Sequence, residues 1–189
     1  MFSDGLESHL PDLRAYARML CGDPVRADDI VQNACLNAWQ SRASFDPEKG
    51  ALRGWLFRIV RNEFYQQIRS ERVRRSEDTD LFEQALIADC DLEPRSNLTR
   101  MLQAVHSLKN AQRDAFLLVV AAGFTYDEAG QVLGCSAGTV KSRVSRAREV
   151  ALGRFHSERW NSIGSNHKVS PINQLHDALN RIHAVSSAA

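Results

Sequence analysis

No stretch of these 189 residues approaches the roughly 20 consecutive apolar residues that a membrane-spanning helix needs. The amino-terminal "MFSDGLESHL" opens on acidic and polar residues, without the basic-then-apolar order of a signal peptide. A cytoplasmic protein with no membrane partner is therefore expected. Cysteine is sparse: Cys21, Cys35, Cys90 and Cys135 lie far apart and form no CxxC pair. That pattern argues against a zinc or disulfide framework and predicts reduced, mostly packed thiols. Net charge is also small, with 24 Lys and Arg against 23 Asp and Glu, so total charge gives no reason to expect a nucleic-acid partner.

The charge that is present is sorted along the chain. Between Ala51 and Arg75 stand Arg53, Arg58, Arg61, Arg69, Arg72, Arg74 and Arg75 against Glu63 and Glu71. The next stretch, Ser76 to Glu93, carries Glu77, Asp78, Asp80, Glu83, Asp89, Asp91 and Glu93 and no Lys or Arg. Apolar residues recur at helical spacing and nothing alternates as a strand would, so the expected fold is all-α. A first helix fits Leu6 to Leu20. A second fits Pro24 to Ser41, with Ile30, Val31, Ala34, Cys35, Ala38 and Trp39 as its buried stripe. "SFDPEKG" then reads as a loop, because Asp46-Pro47 and Gly50 disfavour a helix. A third helix runs to about Arg75. The acidic stretch looks like a linker, with Leu81, Phe82, Leu86 and Ile87 able to form a short helix. The expected division is a first helical domain over 1–75, an acidic linker over 76–95, a second helical domain over 96–156, and a tail over 157–189. In the tail, Ile172, Leu175, Leu179 and Ile182 have the spacing of an amphipathic helix.

Within the second domain, Thr125 and Glu128 form a capping-box pattern that starts a helix at Tyr126. Gly134 stands where a left-handed carboxyl cap is wanted, and Ser136 supplies the next amino-terminal cap. Two helices joined by a short turn at "GCS" make a helix-turn-helix. On the second helix Val140, Val144, Ala147 and Ala151 share one face, while Ser142, Ser145, Arg146 and Glu149 point the other way and Lys141 and Arg143 flank them. Such a helix lies in the major groove with its first turns at base edges. Arginine can pair bidentately with guanine, serine bonds to several bases, and lysine neutralises phosphate. A solvated helix face would explain the basic content alone, but not the caps, turn and face split together.

The third helix places Leu56, Ile59 and Val60 on one side and Arg58, Arg61, Asn62, Tyr65, Arg69 and Arg72 on the other. Arginines interleaved with an aromatic ring and an amide suit single-stranded nucleic acid, although a plain charged face fits these residues as well. Glu63 falls near the apolar side, which calls for a rotated helix or a partner.

The segments "LRAYARMLCGDPVRADDIVQNACLNAWQ", "FDPEKGALRGWLFRIVRNEFYQQIRSERVRR" and "FTYDEAGQVLGCSAGTVKSRVSRARE", in this order about an acidic linker, resemble RNA polymerase sigma factors of the extracytoplasmic-function (ECF) class, and within it the alphaproteobacterial general-stress subgroup. The resemblance implies a factor without cofactor, metal, small-molecule substrate or catalysis of its own. Its implied partners are core RNA polymerase, through the β′ clamp and the β flap, promoter DNA, and an anti-sigma factor. It further implies that Asp28, Asp29, Gln32 and Asn33 bind polymerase. By the same resemblance Phe45, Arg58, Arg61, Asn62, Tyr65 and Arg69 hold the minus-ten strand. Ser136, Thr139, Lys141, Ser142, Arg143, Ser145 and Arg146 would serve the minus-thirty-five duplex.

Other functions fit less of the chain. His156, His167, His176 and His183 are spaced by 11, 9 and 7, without the i, i+4 pair of a helical zinc site, which weighs against a metal hydrolase. A sigma-like module that only sequesters an anti-sigma factor would not need both basic faces. A lone helix-turn-helix regulator leaves the first domain without a purpose.

Overall fold

The computed structural model describes residues 2–75 and 97–160, and among these no strand occurs. The acidic linker and the tail helix expected above fall outside the described residues. Three helices form the first domain: α1 (Phe2–Cys21), α2 (Pro24–Gln40) and α3 (Leu52–Arg75). Helix α1 starts four residues earlier than the sequence pattern suggests. Helix α2 starts where Asp23 can cap it: one carboxylate oxygen accepts from the amides of Val25 at 2.8 Å and Arg26 at 3.2 Å, and Pro24 supplies the preset first turn. Such a cap contributes about 1 kcal/mol. Two short 3₁₀ turns, Arg42–Ser44 and Pro47–Lys49, build the loop that leads into α3.

The stripe on α2 differs from expectation at one end. Ile30, Val31, Ala34 and Ala38 are buried, but Cys35 is half-buried and Trp39 is 48% exposed. One residue advances a helix by about 100°, so Trp39 sits beyond the edge set by Ala38. Its ring is partly covered by Phe2, with centroids 6.2 Å apart, and by the Arg42 guanidinium at 4.7 Å. Glu63 has the partner its position called for. Its Oε2 accepts from the amide of Asn37 on α2 at 3.1 Å, so the carboxylate is buried without a rotated helix.

The second domain contains α4 (Asn97–His106), α5 (Asn110–Phe116), α6 (Tyr126–Leu133) and α7 (Ala137–Trp160). Helix α5 widens at its end into a π turn over Leu117–Ala121, where the Ala122 amide donates to Leu117 O at 2.9 Å. The capping box is complete: Thr125 Oγ1 accepts from the Glu128 amide at 3.2 Å and Glu128 Oε2 from the Thr125 amide at 2.8 Å. Gly134 closes α6 at φ 68°, a left-handed conformation that other residues adopt only at a cost. The turn is tight enough that a Cβ on Gly130 would stand 2.6 Å from the carbonyl oxygen of Cys135.

The two domains share one apolar core. It joins Leu13, Tyr16, Phe57 and Phe64 of the first to Phe116, Leu118, Phe124 and Val132 of the second. At their junction Phe57 and Phe124 meet edge to face, centroids 4.9 Å apart. Helix α3 thus packs on its own domain along one side and on α6 along another.

Candidate nucleic-acid interface

Helix α7 is oriented as its face split demands. Val140, Val144, Ala147 and Ala151 are buried, whereas Lys141, Ser142, Ser145, Arg146 and Glu149 are exposed. Ser136 caps the helix by accepting from the Thr139 amide at 3.2 Å, and the two hydroxyls lie 2.9 Å apart. These two residues therefore fix the start of the helix before they can meet any base. Arg143 is half-buried and turned back toward Cys135, with Nη1 3.5 Å from its sulfur. Lys141, Ser142, Ser145 and Arg146 remain as a continuous outward patch, small in the middle and cationic at its edges. That shape lets a helix backbone approach a groove while charged ends reach phosphate or guanine.

The residues expected at the minus-ten strand are divided by the fold. Asn62 and Arg69 are exposed. Phe45, from the loop before α3, is half-buried and lies against Trp55 with centroids 5.5 Å apart. With Arg58 and Gly50 these rings line a cavity of about 190 Å³, whose far wall is Gln131 and Val132 of α6. Arg58 itself donates to the Gln131 carbonyl. Arg61 and Tyr65 turn toward α5: Arg61 Nε is 2.7 Å from Asp114 Oδ2, and Tyr65 donates to Asp114 Oδ1 at 2.9 Å. The Arg61 guanidinium also lies over the Tyr65 ring, 4.9 Å from its centroid.

Asp114 was not among the residues singled out from the sequence, and it is wholly buried at 0% exposure. Its surroundings leave a clear electrostatic mark. Burial and then the Asp114 charge hold the phenols of Tyr65 and the fully buried Tyr16 above their ordinary value. For Arg61, burial opposes the charged form, but the Asp114 charge and hydrogen bond outweigh it and the pKa rises. Neighbouring Arg113, 1% exposed, donates to Asn110 Oδ1 at 2.9 Å and lies over the Phe64 ring at 5.8 Å. A third arginine, Arg53, spans the same junction. It lies 4.2 Å from the Phe124 centroid, 3.5 Å from Asp12 Oδ2, and donates to the Ala122 carbonyl beyond the π turn.

The polymerase-binding candidates sit on the second helix of the first domain. Asp28, Asp29, Gln32 and Asn33 are all exposed on α2. Asp28 pairs loosely with Arg18 at 3.7 Å. The other three line an open groove with Glu63, Gln66 and Glu71 of α3. This surface is polar, accessible and clear of the contact between the domains.

Residues 6–74 match the family model of sigma-70 region 2, and residues 98–149 that of sigma-70 region 4. The ECF RNA polymerase sigma factor EcfG of Rhodopseudomonas palustris is 39% identical over 146 residues, covering 77% of this chain and 80% of that protein. The sigma factor RpoE of Bartonella quintana, solved in complex with the anti-sigma factor NepR, superposes with a TM-score of 0.69 at 33% identity, over 82% of this chain and 96% of that one. CnrH, solved with the cytosolic domain of CnrY, gives a TM-score of 0.59 at 25% identity, over 82% and 88% of the two chains. Two helical domains in this order, an open helix-turn-helix and an arginine-rich third helix, together with these likenesses, identify the lineage: the chain belongs to the ECF sigma factors of RNA polymerase.

Proposed function

We propose that this protein binds core RNA polymerase and gives it promoter specificity in two places at once, performing no chemistry of its own and working in the cytoplasm. Helix α7 reads the minus-thirty-five duplex through Lys141, Ser142, Ser145 and Arg146, with Ser136, Thr139 and Arg143 holding the helix and its flank. Helix α3 and the loop before it hold the melted minus-ten strand through Phe45, Arg58, Arg61, Asn62, Tyr65 and Arg69. Asp28, Asp29, Gln32 and Asn33 dock on the β′ clamp, while the second domain reaches the β flap. The two units are residues 1–75 and 96–156, joined by the acidic segment 76–95. The observation that carries this reading is the outward patch on α7, where serines stand between cations in the part of a helix that enters the groove.

Stress-responsive control by an anti-sigma factor belongs to the same proposal. It rests on the likeness to EcfG and to a sigma factor solved with the anti-sigma factor NepR. The test is run-off transcription by core polymerase on a promoter library, with and without the protein. Template-selective stimulation is expected. No stimulation on any template would overturn the assignment.

A further inference from the structure

The strand-contacting side of α3 is partly occupied by the chain itself. Both carboxylate oxygens of Asp114 are taken from across the domain boundary, one by Arg61 and one by Tyr65. Arg53 and Arg58 donate to main-chain carbonyls of the second domain, those of Ala122 and Gln131. Each of these acceptors is an oxygen, some charged and some dipolar, as the oxygens of a sugar-phosphate backbone are. Gln131 and Val132 also wall the cavity beside Phe45 and Trp55. We propose that Asp114 is an internal stand-in for a promoter phosphate, holding Arg61 and Tyr65 so that the free factor stays closed over its own minus-ten face until melted DNA, presented on polymerase, displaces it.

The choice of residues fits a contact built to open. A permanent core would be at least as stable with apolar residues of similar volume in place of a buried ion pair. An ion pair has a different merit at a boundary that must part, because both charged groups regain water when the domains separate. An apolar pair would instead leave exposed hydrophobic surface. The backbone makes the same allowance for closure. Gly54 stands in the first turn of α3 directly opposite α6, where an added Cβ would lie 3.6 Å from Val132 Cγ2 and 4.0 Å from Phe124 Cε1. Alanine fits in that space, and anything larger meets Val132. The π turn Leu117–Ala121 completes the geometry, since it leads directly into Ala122 and Phe124, the groups that Arg53 bridges.

This inference rests on the sigma-factor reading, and the two fail separately. The measurement is binding of the full free chain, without polymerase, to a labelled single-stranded oligonucleotide carrying the non-template minus-ten sequence of a responsive promoter. The radius of gyration from solution X-ray scattering is read on the same samples. Asp114→Asn should tighten binding about tenfold, the scale of one lost charge-assisted hydrogen bond, and expand the molecule. Gly54→Leu should do both without touching any charge, and Gly54→Ala should stay within about twofold of wild type, the size of an ordinary surface change. If Asp114→Asn tightens binding while Gly54→Leu does not, the gain comes only from removing a negative charge, and the latch is overturned. Should Asp114→Asn fail to fold, Gly54→Leu decides alone: unchanged affinity and size refute the latch. A wild-type chain that drives run-off transcription while both variants bind as it does would leave the sigma-factor function standing and the latch refuted.

Discussion

The two basic faces of this sigma factor meet different fates in one fold. On α7 the outward Lys141, Ser142, Ser145 and Arg146 stand in solvent. On α3, Arg58, Arg61 and Tyr65 bond to the second domain, Arg61 and Tyr65 half-buried and Arg58 still exposed, while Asn62 and Arg69 stay exposed. The difference suits what we propose each face reads. Duplex DNA is available before melting, whereas a separated strand exists only after polymerase has begun to open the promoter. A reader that is open early and one that is covered early match that order of events.

The largest expected way to break this arrangement is acid. His106 ends α4, is 8% exposed, and has no hydrogen-bond partner at Nδ1 among the described residues. Burial, and next the nearby Arg113 charge, lower its pKa to about 4. The unfolded chain, with an ordinary histidine, binds the extra proton first as pH falls. Stability therefore declines from about pH 6.5 downward, by on the order of 3 kcal/mol once pH 4 is passed. Urea unfolding at pH 7 and pH 5 should show a loss of about 2 kcal/mol. His106→Leu should remove most of that difference, and an equal loss in the variant would mean other groups control it.

Next in size is the open face. Arg146→Ala should relax selectivity at one upstream base pair by about 2 kcal/mol, within the range of a bidentate arginine contact. Transcription from templates varied at the minus-thirty-five element measures it. The free chain should keep its compact size, because Arg146 takes no part in the domain contact. An unchanged selectivity profile would return that face to ordinary solvation.

The smallest effect sharpens how α6 is placed between the two readers. Thr125→Ala removes the capping-box hydroxyl and should cost about 1 kcal/mol, a few degrees in Tm. Glu128 should respond as well. The Thr125 amide and hydroxyl, as hydrogen-bond donors, hold its carboxyl below the usual carboxylate range, and the variant should bring that titration back toward normal in an NMR pH series.

What the sequence made legible depended on distance along the chain. The caps at Thr125 and Ser136, the left-handed Gly134 and the buried side of α7 are set by residues within four or five positions, and the structure has them as the pattern requires. Glu63 was visible as an anomaly, but its partner Asn37 lies 26 residues away on another helix. The same limit hid the contact with Asp114. Arg61 and Tyr65 stood out as a polar stripe, yet nothing local says that the stripe faces Asp114, which is 53 residues from Arg61. The Arg113-Asp114 pair set against "AFLLVV" was the available signal, since two charges at the edge of a buried run need partners. Trp39 went the other way: the apolar stripe of its helix suggested core, and its position one residue past Ala38 put it at the rim.

The central claim is that the chain is closed when free and open on polymerase once melted promoter DNA is bound. It is tested most directly by electron-spin distance measurement between labels at exposed Glu7 on α1 and exposed Glu149 on α7. A single narrow distribution in the free chain, replaced by a clearly longer one on polymerase holding a melted promoter, is the predicted result. The same distribution in both states would contradict it.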